Sequence, residues 1–153
     1  MTSIHELKKL SFLIYGLGAT GKSVINFFRE NNIKNYQVWD DYNKNLYKNK
    51  RPLNLNRCIK NVNFIILSPG ISLLNSRHKT KLSKYQKKII TDIDLMFLSK
   101  NFFRSIVVTG TNGKSTTCKI IDHILKKNNF KTLLGGNIGT PVLSLNPKKN
   151  NFL

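Results

Sequence analysis

Residues 11–32, SFLIYGLGATGKSVINFFRENN, combine an apolar run, a glycine-rich loop and a segment with helical periodicity. The apolar run Ser11–Tyr15 is rich in strand-forming residues and leads directly into a glycine-rich loop. From Thr20 onward the apolar side chains recur at helical spacing, and two asparagines end that pattern. The next apolar run, Tyr36–Asp40, has the length of a second strand. Because parallel strands need a crossover helix between them, the sequence predicts a βαβ unit and an α/β fold built on a parallel sheet.

The loop GLGATGKS at Gly16–Ser23 satisfies two nucleotide-binding patterns. It fits the GxGxxG fingerprint of dinucleotide-binding folds and also the GxxxxGK[ST] pattern of a phosphate-binding P-loop. Asp40 ends the following strand, near the separation at which an acidic residue meets a ribose hydroxyl. We therefore favour the dinucleotide-type interpretation, in which Lys22 and Ser23 are coincidences of a lysine-rich chain. A tight turn that binds nothing is the alternative, because a lone fingerprint is weak evidence.

A second loop, VTGTNGKST at Val108–Thr116, departs from the P-loop pattern at its first position, where valine replaces glycine. Its two glycines let backbone N–H groups surround a phosphate chain, and Lys114 supplies a positive charge for β- and γ-phosphate oxygens. Ser115 or Thr116 supplies a hydroxyl to Mg²⁺. The sequence therefore predicts that this loop, and not the first, holds a nucleoside triphosphate. A turn without a ligand is again the alternative.

The rest of the chain continues the alternation of strands and helices. Strands are predicted at Asn63–Ile71, Lys87–Thr91, Arg104–Gly110 and Lys131–Val142, and helices at Asp92–Lys100 and Lys114–Lys127, with residues 73–87 ambiguous. This order predicts a Rossmann-like parallel-sheet domain over residues 1–101 and the beginning of a P-loop α/β domain over residues 102–153. Because residues 150–153 resemble the start of another strand, we expect the chain to be the front part of a longer protein.

Composition and charge argue against several classes of protein. The longest apolar runs are far too short to cross a bilayer, and the first residues lack the order of segments expected of a signal peptide. Cys58 and Cys118 are isolated, which suits a reducing cytoplasm. The net charge of +19 is compatible with nucleic-acid binding, but the lysines are scattered along the chain. We expect a cytoplasmic monomer with no nucleic-acid or membrane partner, and we expect Trp39 to lie in the core.

Five segments together resemble one family, the Mur ligases, which are the cytoplasmic amide-bond-forming enzymes of peptidoglycan synthesis. TGTNGKST at Thr109–Thr116 is similar to the ATP-binding loop of that family. The other segments are GLGATG at Gly16–Gly21, SPGI at Ser68–Ile71, TDIDLMF at Thr91–Phe97 and GGNIGTP at Gly135–Pro141. Each segment alone is unspecific. Their order over nearly the whole chain narrows the resemblance to the members that add D-glutamate to UDP-N-acetylmuramoyl-L-alanine.

The resemblance implies a set of site residues. The Rossmann-like domain would bind the UDP part of UDP-N-acetylmuramoyl-L-alanine, and not NAD, and the second domain would be the central domain that binds ATP and Mg²⁺. The residues that would line the UDP site are Leu17, Gly18, Ala19, Thr20, Asp40, Asp41, Ser68, Pro69 and Gly70, with Asn137 from the central domain. The residues that would hold ATP are Gly110, Thr111, Asn112, Gly113, Lys114, Ser115, Thr116 and Thr117, with Lys114 as the catalytic cation on the β- and γ-phosphates and Ser115 on magnesium.

The resemblance also implies a reaction. In this family the terminal carboxylate of the substrate attacks the γ-phosphate of ATP, and the amine of D-glutamate then displaces phosphate from the acyl phosphate. We expect the chain to be inactive by itself, because further metal ligands and the D-glutamate-binding domain would lie downstream. One departure is Tyr42, where the family often has an arginine facing the nucleotide. The alternatives are another Mur ligase, a folylpolyglutamate synthetase, a nicotinamide oxidoreductase, or a non-catalytic module that binds nucleotide or nucleic acid.

Overall fold

The computed structural model of the 153-residue chain describes residues 4–71, 79–99, 104–136, 139–145 and 151–153. Within these ranges the helices are α1 (Ile4–Leu7), α2 (Ala19–Glu30), α3 (Leu55–Asn61), α4 (Lys79–Lys84), α5 (Asp92–Ser99) and α6 (Lys114–Lys127). The strands are β1 (Phe12–Tyr15), β2 (Tyr36–Trp39), β3 (Phe64–Leu67), β4 (Ile89–Ile90), β5 (Lys131–Thr132) and β6 (Asn151–Phe152). Short 3-10 helices lie at Lys48–Lys50, Gln86–Lys88 and Val142–Ser144.

The first four strands form one parallel sheet in the order β2-β1-β3-β4. In the middle of it, Phe12 of β1 pairs with Tyr36 of β2 and with Phe64 of β3. All residues of β1 are buried. A parallel strand that is covered on both faces has no polar side, which explains why FLIY is apolar throughout. This arrangement confirms the predicted α/β fold with a parallel sheet.

Two apolar clusters cover the two faces of the sheet. On one face Phe12 and Ile14 pack with α2 and α5, and residues 142–143 join the same cluster. On the other face Leu13 and Tyr15 pack with α3 and α4. Consecutive residues of β1 thus serve opposite faces, as the pleat of a strand requires. The two helical layers hold the carboxyl ends of β1, β2 and β3 in fixed positions, and the first glycine loop begins there.

A smaller unit surrounds α6. β5 and β6 pair in parallel beside this helix. No described residue of α6 is fully buried, and the side chains of Ile120 and Ile124 are 55% and 53% exposed. The second unit therefore has much less enclosed core than the first.

The strand predicted at Arg104–Gly110 is only partly formed, and the prediction was wrong for its second half. Arg104 makes a parallel bridge to Phe152, and the N–H of Ile106 donates to the carbonyl oxygen of Leu153 at 2.8 Å. Beyond Ile106, residues 107–109 continue as irregular chain. The strand predicted from Lys131 is likewise reduced to the two residues of β5.

α3 was not among the predicted helices. The side chain of its N-cap residue Asn54 accepts a hydrogen bond from the N–H of Arg57 at 3.1 Å, and Leu55, Cys58 and Ile59 bury one face of the helix. An asparagine followed by apolar residues at that spacing is a helix signal. By contrast, α6 has the predicted bounds, and α2 and α5 lie where helices were predicted. In the described ranges, no helix combines the length and the apolar character needed to span a membrane.

Candidate nucleotide-binding sites

The first candidate site is the turn from β1 into α2. The N–H of Gly16 donates to the carbonyl oxygen of Trp39 at 2.8 Å, so the turn begins as an extension of the sheet. Gly16 has a φ of +102°, and a Cβ at this position would lie 2.6 Å from Cδ1 of Ile71 and 2.8 Å from Cβ of Ser68. Both the backbone conformation and the available space therefore require glycine here.

The first turn of α2 lies directly against this loop. A Cβ at Gly21 would lie 1.9 Å from the carbonyl oxygen of Gly16, so a side chain is excluded there. Gly18 is the exposed N-cap residue of α2, and no side chain caps the helix. The N–H groups of the first turn are thus left without a side-chain acceptor. Together with the partial positive charge of a helix N-terminus, they suit an anion.

Asp40 clamps the loop to the end of β2. Its Oδ2 accepts a hydrogen bond from the N–H of Leu17 at 2.8 Å, and its Oδ1 accepts from the N–H groups of Tyr42 and Asn43 at 2.9 and 2.7 Å. Burial opposes ionisation, but the hydrogen bonds from Asn43, Leu17 and Tyr42 outweigh it and lower the pKa of Asp40. The carboxylate is therefore ionised, and both of its oxygens already bind the chain's own N–H groups.

Asp41 is held by two aromatic side chains. The hydroxyl of Tyr15 donates to its Oδ2 and Nε1 of Trp39 donates to its Oδ1, both at 2.9 Å. Burial, and then the neighbouring carboxylate of Asp41, raise the pKa of Tyr15 above its usual value. Trp39 is half-buried against the α3 side of the sheet, and the guanidinium of Arg51 lies 3.8 Å from the centre of its indole ring. Sequence reasoning missed Tyr15 and Arg51, because neither belongs to a motif.

The other predicted residues of the first loop differ in exposure. The side chain of Leu17 is buried in the core, which leaves only its backbone at the loop. Ala19 is exposed and Thr20 is half-buried in the first turn of α2. Lys22 is exposed, whereas Ser23 is buried and its hydroxyl donates to the carbonyl oxygen of Thr20 at 2.7 Å. A serine hydroxyl that is bonded within its own helix is poorly placed to bind a metal ion.

The turn after β3 packs against the same loop. The hydroxyl of Ser68 donates to the carbonyl oxygen of Gly16 at 3.2 Å, and Pro69 and Gly70 lie exposed beside it. The structure thus brings this turn, the first loop and the two aspartates to one edge of the sheet. Asn137, the remaining residue predicted at the UDP site, lies outside the described residues.

The second candidate site is the loop that precedes α6. Gly113 is the N-cap residue of this helix in a left-handed conformation, with a φ of +77°, and no side chain caps the helix. The side chains or backbone of several neighbours are exposed, namely Gly110, Thr111, Asn112, Ser115, Thr116 and Thr117. The loop therefore offers accessible hydroxyls and an uncapped helix N-terminus, as a phosphate chain requires.

Lys114 folds back across its own loop. Its Nζ donates to the carbonyl oxygens of Gly110 and Thr111, the latter at 3.0 Å. The side chain is half-buried, and the ammonium group is held against the loop backbone instead of extending into solvent. A phosphate group that enters the loop would therefore meet a positive charge that is already in place.

A cleft of about 280 Å³ opens beside the second loop. Lys114 and Ser115 line it together with Gly135 and Gly136 of the GGNIGTP segment. α5 adds an apolar wall made of Ile93, Met96 and Phe97. Apolar walls with a few polar groups are typical of ligand-binding clefts. Among the described residues, no cluster of three or more His, Cys, Asp or Glu side chains could hold a metal ion.

The chain is similar to known proteins over most of its length. Residues 108–153 match the family model for the Mur ligase middle domain. Over 148 residues the chain is 42% identical to the UDP-N-acetylmuramoylalanine–D-glutamate ligase of Buchnera aphidicola subsp. Schizaphis graminum. Proteins of the same name from Francisella philomiragia and from the Wolbachia of Brugia malayi are 38% and 37% identical over 143 and 159 residues.

These matches cover most of the chain but a minor part of each relative. They include 90, 90 and 93% of the chain for the Buchnera, Francisella and Wolbachia proteins, and 32, 31 and 30% of those proteins. The chain thus spans about a third of the length of the curated relatives it matches.

Proposed function

We propose that this chain, which belongs to the Mur ligase family, carries the two nucleotide-binding loops of a UDP-N-acetylmuramoylalanine–D-glutamate ligase. The observation that carries this proposal is the contrast between the two loops. The first is clamped by a buried aspartate, and its Ser23 hydroxyl is bonded within α2. The second holds the ammonium group of Lys114 against its own backbone and leaves Ser115 exposed beside a cleft.

We assign the first loop to the UDP part of UDP-N-acetylmuramoyl-L-alanine. The uncapped N–H groups of α2 suit the diphosphate. Asp40 and Asp41 stand at the end of β2 as acceptors for the hydroxyl and N–H groups of uridine. Oδ2 of Asp40 accepts one hydrogen bond within the described part of the chain, from the N–H of Leu17, and a carboxylate oxygen can accept a second. The turn that begins at Ser68 borders the same site.

We assign the second loop to ATP and Mg²⁺. Residues 110–117 would surround the phosphate chain, with Lys114 on the β- and γ-phosphate oxygens and the hydroxyl of Ser115 on Mg²⁺. The residues present fit ATP with Mg²⁺, since the loop is exposed and the helix N-terminus is uncapped. The ammonium group of Lys114 also already lies against the loop backbone. When bound, Mg²⁺ neutralises charge on the phosphate oxygens.

For the whole ligase we propose activation of a carboxylate followed by amide formation. A carboxylate oxygen of UDP-N-acetylmuramoyl-L-alanine forms a bond to the γ-phosphorus of ATP while the bond to ADP breaks. The amine nitrogen of D-glutamate then bonds to the acyl carbon, loses a proton and displaces phosphate. Lys114 stabilises the charge on the phosphoryl oxygens in the first step. We also propose that residues 1–101 form the UDP-binding domain, that residues 102–153 belong to the ATP-binding domain, and that the reaction takes place in the cytoplasm.

Thermal stability in the presence of ligands tests the two assignments separately. UDP alone and ATP with Mg²⁺ alone are each expected to raise the Tm of the chain, and both together are expected to raise it further. A ligand at 100 times its Kd stabilises the folded state by about 2.7 kcal/mol, which is easily measured. NADH at the same concentration is expected to have no effect. Stabilisation by NADH and not by UDP would show that the first loop belongs to a nicotinamide-binding protein.

A further inference from the structure

Arg51 lies at the carboxyl end of β2, next to the residue that clamps the first loop. Its guanidinium carbon is 3.8 Å from the centre of the Trp39 ring, and its Nη1 donates to the backbone carbonyl oxygen of Asp40 at 3.3 Å. The 3-10 helix Lys48–Lys50 directly precedes it. Two contacts thus hold an intrinsically flexible side chain at the edge of the sheet where Asp40 binds the N–H of Leu17.

The guanidinium retains unused hydrogen-bond donors. It carries five N–H groups, and the Asp40 carbonyl takes one of them. Within the described part of the chain, Arg51 has no other hydrogen-bond acceptor and no carboxylate partner. A cation that is already ordered, half-buried and still has free donors loses little entropy when it binds an anion. The planar guanidinium can also donate two parallel hydrogen bonds to the oxygens of one phosphate group.

The charges around the first loop explain why a cation is needed there. Asp40 and Asp41 both lie at this edge, and the hydrogen bonds to Asp40 keep it ionised. A nucleoside diphosphate brings further negative charge to the same place, and like charges weaken binding unless a cation offsets them. The sequence contains no Asp or Glu between Asp41 and Asp92, so the segment that carries Arg51 has no acidic residue to neutralise it.

We propose that Arg51, stacked on Trp39, binds a phosphate group of the nucleotide held by the first loop. This inference rests on the proposed assignment of that loop to UDP. The N–H groups at the start of α2 bind the diphosphate from one side, and the guanidinium binds it from the β2 side. Trp39 holds the guanidinium in place by a cation–π contact, and Asp41 in turn orients Trp39 through its indole N–H.

Trp39 fluorescence provides a direct test, because this is the single tryptophan of the chain. UDP titrated into the chain is expected to change the emission of Trp39 saturably. Arg51→Gln, which keeps an N–H for the Asp40 carbonyl but loses the charge, is expected to weaken UDP binding about tenfold or more. Arg51→Lys keeps the charge but not the paired donors of the guanidinium, and it is expected to lose less UDP affinity than Arg51→Gln. Far-UV circular dichroism shows whether each variant is folded.

Lys50→Ala is the matched control. It removes the same charge one residue away, but the Nζ of Lys50 bonds the carbonyl oxygen of Lys34 at 3.0 Å and lies 4.5 Å from the Tyr36 ring, at the amino end of β2. Its UDP affinity is expected to stay within about twofold of the wild-type value. Uridine is the second control, since it lacks phosphate and its affinity is expected to be the same in wild type and Arg51→Gln.

Each result has a separate meaning. If Arg51→Gln binds UDP as tightly as the wild type, Arg51 has no part in binding, and the assignment of the loop to UDP stands. If Arg51→Gln loses UDP and uridine affinity equally, Arg51 does not bind a phosphate group of the nucleotide. If the wild-type chain shows neither a fluorescence nor a thermal response to UDP, the proposed function of the first loop fails and this inference fails with it.

Discussion

At Gly21 the first turn of α2 approaches the carbonyl oxygen of Gly16 so closely that a Cβ would lie 1.9 Å from it. This contact fixes the path from β1 into α2 and the direction of the N–H groups that we assign to a diphosphate. Gly18 lies in the same loop but has no heavy atom within 4 Å of a built Cβ. The two glycines therefore serve different purposes, since Gly21 permits close packing and Gly18 leaves the helix N-terminus open.

Gly21→Ala is expected to lower the free energy of unfolding by about 1–3 kcal/mol, although alanine normally favours a helix. The added methyl group overlaps with backbone, and no rotation of a side chain relieves that overlap. Urea denaturation followed by Trp39 fluorescence measures the loss. Gly18→Ala is the control and is expected to cost less than about 1 kcal/mol. Equal costs for the two variants would mean that the close approach at Gly21 is not a constraint.

Asp40 is expected to make the stability of the first loop depend on pH. Its pKa is lowered in the folded chain, so its stabilising contribution is present at neutral pH and is lost as the pH falls through the unfolded value of about 3.9 toward the folded value. Asp40→Asn is expected to lower the free energy of unfolding by about 1–3 kcal/mol at neutral pH.

The difference in stability between wild type and Asp40→Asn is expected to shrink as the pH falls below about 4. Denaturation curves measured across the acid range provide this difference. Asp122, whose pKa is also lowered, is present in both proteins, so its titration cancels. A difference that is the same in neutral and acid solution would contradict the role of an ionised Asp40.

Two helices, α2 and α6, carry Gly-Lys-Ser in or at the start of their first turn, and the structure distinguishes them. In α2 the lysine Lys22 is exposed and the serine is bonded within the helix. In α6 the ammonium group of Lys114 lies on the carbonyl oxygens of the preceding loop, and Ser115 faces a cleft. The same three residue types therefore make different contacts in the two helices, because the side chain of Lys114 bonds to the backbone of the loop before α6.

Lys114→Ala is expected to weaken the binding of ATP with Mg²⁺ by about tenfold or more, because a charged hydrogen bond to phosphate is lost. Lys22→Ala removes the same charge from the same tripeptide and is expected to leave ATP affinity within about twofold. Isothermal titration with ATP and Mg²⁺ measures both, and UDP affinity serves as a control for folding. A large loss of ATP affinity in Lys22→Ala would reverse the assignment of the two loops.

Across the molecule, structure that depends on neighbouring residues was predicted better than contacts between residues that are far apart in the sequence. The helix that starts at Lys114 was predicted from the glycine before it and from the spacing of its apolar residues. Both signals depend only on residues that are close together in the sequence. The bonds from Leu17 to Asp40 and from Tyr15 to Asp41 join positions far apart in the sequence. They arise only when β1 and β2 pair, so neither motif nor periodicity revealed them.

Strand length was similarly hard to predict, because it depends on backbone pairing with a distant part of the chain. The apolar run after Arg104 predicts a longer strand, but its described backbone pairing consists of the bridge from Arg104 to Phe152 and the hydrogen bonds of Arg104 and Ile106 to residues 151 and 153. The domain boundary predicted near residue 101 also depends on contacts between residues that are far apart in the sequence. Residues 142–143 follow that boundary, yet they pack in the core cluster formed by β1, α2 and α5. The two units therefore share part of one core.

Leu143→Ala is expected to lower the free energy of unfolding by about 2–5 kcal/mol in the transition reported by Trp39. Leu143 is 7% exposed and packs against the first sheet's core, whereas Trp39 lies in that sheet, so a shared core couples the two. Leu134→Ala is the control, since Leu134 is 43% exposed and its truncation is expected to cost about 0.5 kcal/mol or less. If Leu143→Ala leaves the Trp39 transition unchanged while the helical signal melts earlier, the units unfold independently and residue 101 is a true domain boundary. If both signals shift together, the two nucleotide-binding loops belong to one cooperative unit.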